Sequence, residues 1–142
     1  MASMRATVDW AGDVRFKGVS GSGHQVAIDG PPELGGQNQG IRPMELMLLG
    51  VGSCTSFDVV NILRRGREDL VECRTEIEAE RADTDPKVFT RIHFHFRVTG
   101  RRLNPNKVER AIRLTAEKYC SASIMLERAE VVVTHDYELI EA

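Results

Sequence analysis

The stretch RPMELMLLGVGSCTSFDVVNILRR, residues 42–65, decides how this sequence folds. Pro43 suits the first position of a helix, because the N–H that proline lacks has no intrahelical partner there. Apolar residues then follow on every side of the predicted helix, which is typical of a membrane span or of a helix at the centre of a fold. Small and polar residues interrupt the run between positions 50 and 58, so it is a poor membrane span. The stretch therefore predicts a buried central helix, with Cys54 near its middle.

The composition is that of a globular chain with one core. A length of 142 residues predicts a single domain over residues 1–142. The net charge of −2 gives no electrostatic footprint for nucleic acid or for an anionic membrane, so neither is expected as a partner. An odd number of cysteines argues against a disulfide framework, and Met1 to Trp10 lacks the apolar core of a signal peptide. We therefore expect a cytoplasmic protein.

Alternating apolar and polar residues predict strands on both sides of the central helix. A second helix begins at Asn104-Pro105, runs to Tyr119 and is followed by a helical turn. The predicted strands cover residues 4–10, 14–17, 24–29, 69–82, 88–99 and 131–140. The resulting order, βββ–α–ββ–α–β, predicts an α+β fold with mostly antiparallel sheets.

The two longest predicted strands have faces of opposite charge. One carries glutamates from Glu72 to Glu80, and the next carries arginines and histidines from Arg91 to Arg97, which predicts charge pairing between these two strands. His93 and His95 share a strand face and are candidate metal ligands. No cysteine or carboxylate pattern completes a tetrahedral site with them, so no metal is expected.

Cys54 and Cys120 are the candidate reactive residues, since each lies on or at the end of a predicted helix. A thiolate that attacks a peroxide becomes a sulfenic acid, and a second thiol condenses with it to a disulfide. This chemistry requires two cysteines that are close in space. The alternative is that both are small buried apolar residues, as free cysteines commonly are. Cys73 lies on the apolar face of a predicted strand and is expected in the core.

The predicted helix surrounds Cys54 with one apolar side and one carboxylate. Met47 and Val51 lie two turns and one turn before the cysteine, respectively, and would present an apolar wall to an organic substrate. Asp58 lies one turn after it, where a carboxylate opposes thiolate formation or forms a hydrogen bond to backbone or to a partner helix. An arginine is then needed to offset that charge, and Arg15, Arg42 and Arg91 are the candidates.

Two cysteine segments and the element order resemble the OsmC/Ohr superfamily. The segments are PMELMLLGVGSCTSFDVVNIL (43–63) and EKYCSASIMLE (117–127), while FTRIHFHFRVTG (89–100) and THDYELIEA (134–142) are most similar to its YhfA-type branch. The resemblance implies an intertwined homodimer whose sheets wrap a pair of central helices. It also implies that Cys54 and Cys120 meet in a pocket at the subunit interface, where Cys54 attacks an organic hydroperoxide and Cys120 resolves the product. An external dithiol, such as a lipoyl protein, would be the reductant, and no bound cofactor is implied.

The sequence departs from the family pattern ahead of the first cysteine. The family carries a glutamate ten residues before it, where this chain has Met44. Glu45 is one residue late, and one residue turns a helical side chain by about 100°. Arg15 is the nearest match to the family's activating arginine. The predicted substrate pocket consists of Met44, Glu45, Met47, Val51, Phe57 and Asp58.

These observations lead to two hypotheses of different class. The first is a thiol-dependent peroxidase that reduces organic hydroperoxides in oxidative-stress defence, with Cys54, Cys120 and Arg15 as the catalytic residues. The alternative is a non-catalytic member of the same fold, in which the apolar pocket binds a small molecule or the two cysteines form a redox-sensing disulfide. An inert thiol beside Asp58 would favour the second hypothesis.

Overall fold

Two three-stranded sheets and three α-helices form the fold in a computed structural model that describes residues 3–142. The helices are α1 (Pro43–Arg65), α2 (Pro105–Leu114) and α3 (Ser121–Arg128), and the strands are β1 (Ala6–Trp10), β2 (Arg15–Ser20), β3 (Gln25–Asp29), β4 (Asp69–Arg81), β5 (Phe89–Arg101) and β6 (Val132–Glu141). This mixed content confirms the predicted α+β class. The described residues fall into two compact units that divide between Leu49 and Gly50. The predicted single domain includes Met1 and Ala2, which lie outside the described residues, and it stays a prediction.

The first unit contains an antiparallel meander of β1, β2 and β3. Buried Asp29, at the end of β3, organises the loop that follows. Its carboxylate accepts hydrogen bonds from the backbone amides of Gln37, Gln39 and Gly30, at 2.9 to 3.1 Å. These bonds, led by the one from Gln37, hold the pKa of Asp29 below its usual value. The loop of residues 30–40, predicted to be irregular, is therefore tied down at one point just before α1.

The second unit is built on the sheet β4–β5–β6, with β5 in the middle. Alternate residues of β5 form the centre of the core, and Ile92, Phe94, Phe96 and Val98 are fully buried, as predicted. β4 pairs with β5 antiparallel, whereas β6 pairs with β5 parallel. A parallel neighbour requires a crossover connection, and α2 and α3 supply it here. The antiparallel pairs still outnumber the parallel one, as predicted.

The charged face of this sheet pairs only partly as predicted: Arg97 Nη1 of β5 lies 4.0 Å from Glu76 Oε1 of β4, but the histidines have other partners. His93 and His95 do not bond to the glutamates of β4; their rings bond to Asp136 and Glu138 on β6. The carboxylate of Asp136 lies 2.9 Å from His93 Nε2 and 2.7 Å from His95 Nδ1. The parallel β6 strand places its acids beside the histidines, and periodicity alone does not show which strand is adjacent.

Helix α1 begins and ends where the sequence predicts, but it is not buried on every side. Its part within the second unit buries one stripe, formed by Val51, Thr55, Val59 and Leu63 at spacings of four residues. Phe57 on the other side is 68% exposed. By length and composition α1 meets the criteria for a membrane span, with a mean hydropathy of 1.6, but core helices of soluble proteins meet them too. The prediction of an all-round buried helix is therefore wrong for the chain on its own.

The second predicted helix is broken before Cys120. α2 begins at Pro105 with Asn104 as its N-cap, as predicted, and ends at Leu114. A π-helical turn over residues 115–119 follows and places Cys120 at the start of α3. The backbone amide of Cys120 donates to the carbonyl of Thr115, at 2.8 Å. The sequence did not predict this wider turn, because its residues are ordinary helix formers.

Candidate functional site

Cys54, Asp58 and Cys120 come together in the second unit. The two sulfur atoms and a carboxylate oxygen of Asp58 all lie within 4.8 Å of one another. Cys120 is fully buried, whereas Cys54 and Asp58 are half-buried, and all three cysteines of the chain are free thiols. The structure thus brings together the two cysteines that the sequence separates by 66 residues, and it adds a carboxyl group to the pair.

Close packing of α1 on β4 sets the position of Cys54. Gly52 lies against Ile77 of β4, where a Cβ would have no room. Ser56 then donates to the carbonyl of Gly52 at 2.7 Å, and its oxygen lies 2.6 Å from the hydroxyl oxygen of Thr75 on β4. These two contacts fall on either side of Cys54 along the helix. They fix the height and rotation of the turn that carries the thiol.

Cys120 has the role of a helix cap. Its sulfur accepts a hydrogen bond from the backbone amide of Ser123 at 3.5 Å, which makes it the N-cap of α3. Burial raises the pKa of the Cys120 thiol, the bonds from Ser123 act in the opposite direction, and the neighbouring Cys54 adds to the increase. Cys120 is therefore held mainly as a neutral thiol, which suits a group that reacts second.

Asp58 is half-buried, and its carboxyl group lacks a full set of partners. Its Oδ2 atom is shielded from solvent and has no hydrogen-bond partner among the described residues. Burial raises its pKa above the usual value for an aspartate. The hydrogen bond expected for Asp58 is thus missing at this oxygen. The carboxyl group instead faces the two thiols.

Three predicted site residues, Arg15, Met44 and Glu45, lie in the first unit, where Arg15 and Glu45 form local contacts. Glu45 accepts a hydrogen bond from the backbone amide of Arg42 at 2.9 Å, so it caps the start of α1 as the third residue of the helix. Arg15 donates from Nη1 to Gln39 Oε1 at 2.7 Å, and its Nη2 lies 3.9 Å from Asp13. Met44 is half-buried at the second position of α1. The roles of Arg15, Met44 and Glu45 toward Cys54 stay predictions.

The remaining predicted pocket residues differ in exposure. Val51 is buried beside the cysteine turn, while Met47 is 46% exposed and Phe57 faces away from the core. A substrate pocket lined by these residues stays a prediction. Cys73 is half-buried on β4, where burial raises the pKa of its thiol, and it is not part of the Cys54–Asp58–Cys120 group.

Known proteins are similar to this chain over most of its length. The sequence profile of the family described as OsmC-like protein matches residues 36–136. The chain is 45% identical to Protein YhfA of Escherichia coli K12 over 142 residues, covering 98% of this chain and all of the relative. The chain belongs to the OsmC-like family. A solved structural genomics target with 44% identity covers 98% of this chain and all of its own, at a TM-score of 0.88.

A more distant member of the OsmC-like family shares the fold. The structure of an organic hydroperoxide resistance protein OsmC from Legionella pneumophila aligns with a TM-score of 0.73, covering 97% of this chain and 98% of its own. Its identity to this chain is 21%, so the likeness concerns the fold alone.

Sequence reasoning missed several residues that shape the site. Ser123, whose amide donates to the Cys120 sulfur, follows it by three residues, which is the spacing of a helix cap and could have been read from the sequence. Ser56, Thr75 and the Gly52–Ile77 contact depend on how α1 lies on β4 and leave no local signal. Thr55 lies fully buried next to Cys54, with no hydrogen-bond partner for its hydroxyl among the described residues.

Proposed function

We propose that this chain is a dithiol peroxidase that reduces organic hydroperoxides and thereby acts in oxidative-stress defence. The observation that carries the proposal is the approach of the Cys54 and Cys120 sulfurs to within 4.8 Å in a chain with three free cysteines. A disulfide needs a sulfur–sulfur distance of about 2.05 Å, which side-chain rotation and a small backbone shift supply from this starting point.

The reaction follows from the two environments. The Cys54 thiolate attacks one peroxide oxygen, the O–O bond breaks, and the leaving alkoxide takes a proton to become an alcohol. Cys54 is then a sulfenic acid, and the Cys120 sulfur displaces water from it to form the disulfide. An external dithiol reduces the disulfide and is itself oxidised, so both thiols are restored and no bound cofactor is needed. Half-buried Cys54 meets the substrate, and buried Cys120 meets only Cys54.

A homodimer in the cytoplasm is part of the same proposal. Phe57 and Leu49 on α1 are 68% and 54% exposed, and large apolar side chains that face solvent on one helix are typical of an interface. A reducing compartment would keep Cys54 and Cys120 available as thiols. Light scattering on the purified protein and on Phe57→Asp tests the dimer: we expect a mass of two chains that falls to one in the variant. A monomeric wild type would contradict it.

The proposed activity is tested by peroxide consumption. Purified protein is mixed with cumene hydroperoxide or hydrogen peroxide and with a lipoyl protein or a small dithiol, beside Cys54→Ser, Cys120→Ser and the control Cys73→Ser. We expect turnover of the organic peroxide that Cys54→Ser abolishes and Cys73→Ser retains. Cys120→Ser should stop after one turnover and accumulate a sulfenic acid that dimedone traps.

Two other outcomes would contradict the peroxidase. Peroxide that forms the Cys54–Cys120 disulfide without turnover by any dithiol would favour the redox-sensing alternative. Absence of both turnover and disulfide would leave the small-molecule-binding alternative.

A further inference from the structure

The three side chains of the candidate site are also metal-ligand types. Cysteine sulfurs and a carboxylate oxygen are among the ligands that zinc prefers. Cys54 and Asp58 lie one helical turn apart on α1, so they point to the same side, and Cys120 comes from the start of α3 to complete a triangle. From this geometry we infer that Cys54, Asp58 and Cys120 bind a thiophilic divalent cation of the zinc class.

The distances fit such an ion with small adjustments. Zinc lies about 2.3 Å from sulfur and about 2.0–2.2 Å from a carboxylate oxygen, so the two sulfurs and one oxygen of a tetrahedral site are roughly 3.5–3.8 Å apart. The three atoms here lie within 4.8 Å of one another in the protein without an ion. Closure by up to about 1.3 Å lies within the range of side-chain torsions. The backbone therefore need not change for the ion to bind.

The ligand set selects the class of ion. Two thiolates disfavour calcium and magnesium, which take oxygen ligands. Thiolate with carboxylate suits zinc, and it also suits cobalt and cadmium, which serve as probes. Three protein ligands leave a fourth position for water or for an exogenous ligand. That position opens on the side of half-buried Cys54 and Asp58, since Cys120 is fully enclosed.

Two further observations support the site. Oδ2 of Asp58 is a shielded polar atom with no hydrogen-bond partner within residues 3–142, and a cation would satisfy it. The amide of Ser123 donates to the Cys120 sulfur and so orients this ligand, as outer hydrogen bonds do in metal sites. The charge balance is also favourable, because two thiolates and a carboxylate around one dication leave a single net negative charge at the N-terminus of α3.

Metal binding goes beyond the proposed peroxidase and is measured without any peroxide. The reduced, metal-free full-length protein is titrated with cobalt, and the absorption of tetrahedral cobalt and of thiolate-to-cobalt charge transfer is recorded. We expect both bands to saturate at a single equivalent per chain and to disappear when zinc is added. Zinc should also raise the melting temperature of the reduced protein. A chain that binds cobalt but consumes no peroxide would uphold this inference and contradict only the proposed function.

Variants identify the ligands. Cys54→Ser and Cys120→Ser should each lose the charge-transfer band of the paired thiolates, and Asp58→Asn should weaken zinc binding by about tenfold or more. Cys73→Ser is the matched control and should bind as the unmodified protein does. Circular dichroism confirms that each variant is folded before titration. Absence of a charge-transfer band in the unmodified protein, unchanged affinity in folded Asp58→Asn, or loss of the band in folded Cys73→Ser would overturn the inference.

Discussion

Gly52 of α1 lies against Ile77 of β4, two residues before the reactive thiol. A Cβ atom at this position would overlap Cδ1 of Ile77, whereas Cγ1 of Ile77 would lie at an ordinary 3.5 Å. The overlap thus involves a single methyl group, and Ile77→Val removes that methyl. The pair provides a test of whether this contact sets the height of α1 above the sheet.

The expected effect of Gly52→Ala on the free energy of unfolding differs in sign between the unmodified protein and the Ile77→Val variant. Gly52→Ala gains up to about 1 kcal/mol from helix propensity. It also loses roughly 1–3 kcal/mol through overpacking against Ile77, so we expect net destabilisation by about 1 kcal/mol. Ile77→Val alone should cost about 0.5–1.5 kcal/mol. With the methyl already absent, adding Gly52→Ala should instead stabilise the chain by about 1 kcal/mol, because only the propensity gain is left.

Urea unfolding followed by circular dichroism, under reducing conditions, measures all four combinations. Gly50→Ala on the same helix is the matched control, because a Cβ at Gly50 meets no described atom within 4 Å apart from the backbone of its own helix, and it should raise stability by up to about 1 kcal/mol. Equal effects of Gly52→Ala in the two Ile77 backgrounds would refute the argument. Stabilisation by Gly52→Ala in the unmodified protein would refute it as well.

Three more predictions concern stability near the sheet and the site. Hydrogen bonds from His95, to Glu138 first and then to Asp136, raise the pKa of His95. Its contribution to the free energy of unfolding is therefore complete below about pH 6.5 and is lost as pH rises through the raised value. His95→Gln should remove this alkaline decline in a series of urea titrations. Burial lowers the pKa of His135, so its neutral form is favoured and the free energy of unfolding falls as pH drops below about 6.5. His135→Phe should remove this part of the loss of stability at acid pH. An unchanged loss of stability at acid pH would count against the burial argument. Thr55→Val replaces a buried hydroxyl that has no hydrogen-bond partner in the described part of the chain, so it should leave the free energy of unfolding equal or higher by about 1 kcal/mol, and a clear loss would mean that the hydroxyl is satisfied.

Part of the fold could be predicted because local patterns repeat along one element. In β5 every second residue is apolar from Ile92 to Val98, so its buried face follows from the period of a strand. Pro43, Arg64 and Arg65 mark the two ends of α1. Strand pairing carries no comparable local signal. The separation into two sheets and the parallel β6 therefore emerged only in three dimensions, and with them the true partners of His93 and His95.

The candidate site also combines features that the sequence shows with features that only the structure shows. The spacing of Cys54 and Asp58 places them on one face of a helix, which the sequence shows directly. The approach of Cys120 was implied only by resemblance to a family, because 66 residues of chain leave its position open. Oδ2 of Asp58 has no hydrogen-bond partner because the described elements that surround it place no donor there, and only the structure shows this. No motif in a sequence records a missing hydrogen bond.

The π-helical turn before Cys120 makes the length of that segment critical. Buried residues of α2 recur at Val108, Ala111, Ile112 and Thr115, and the next buried residue is Cys120, five positions after Thr115. An α-helix would instead have turned Tyr119 inward, yet Tyr119 is 55% exposed. The wide turn holds one surplus residue, and deletion of a residue between 116 and 119 would restore regular helix and shift the start of α3, and with it the second thiol, relative to the first. Homologous chains that keep both cysteines in working contact should therefore tolerate changes of residue type in this segment but not changes in its length.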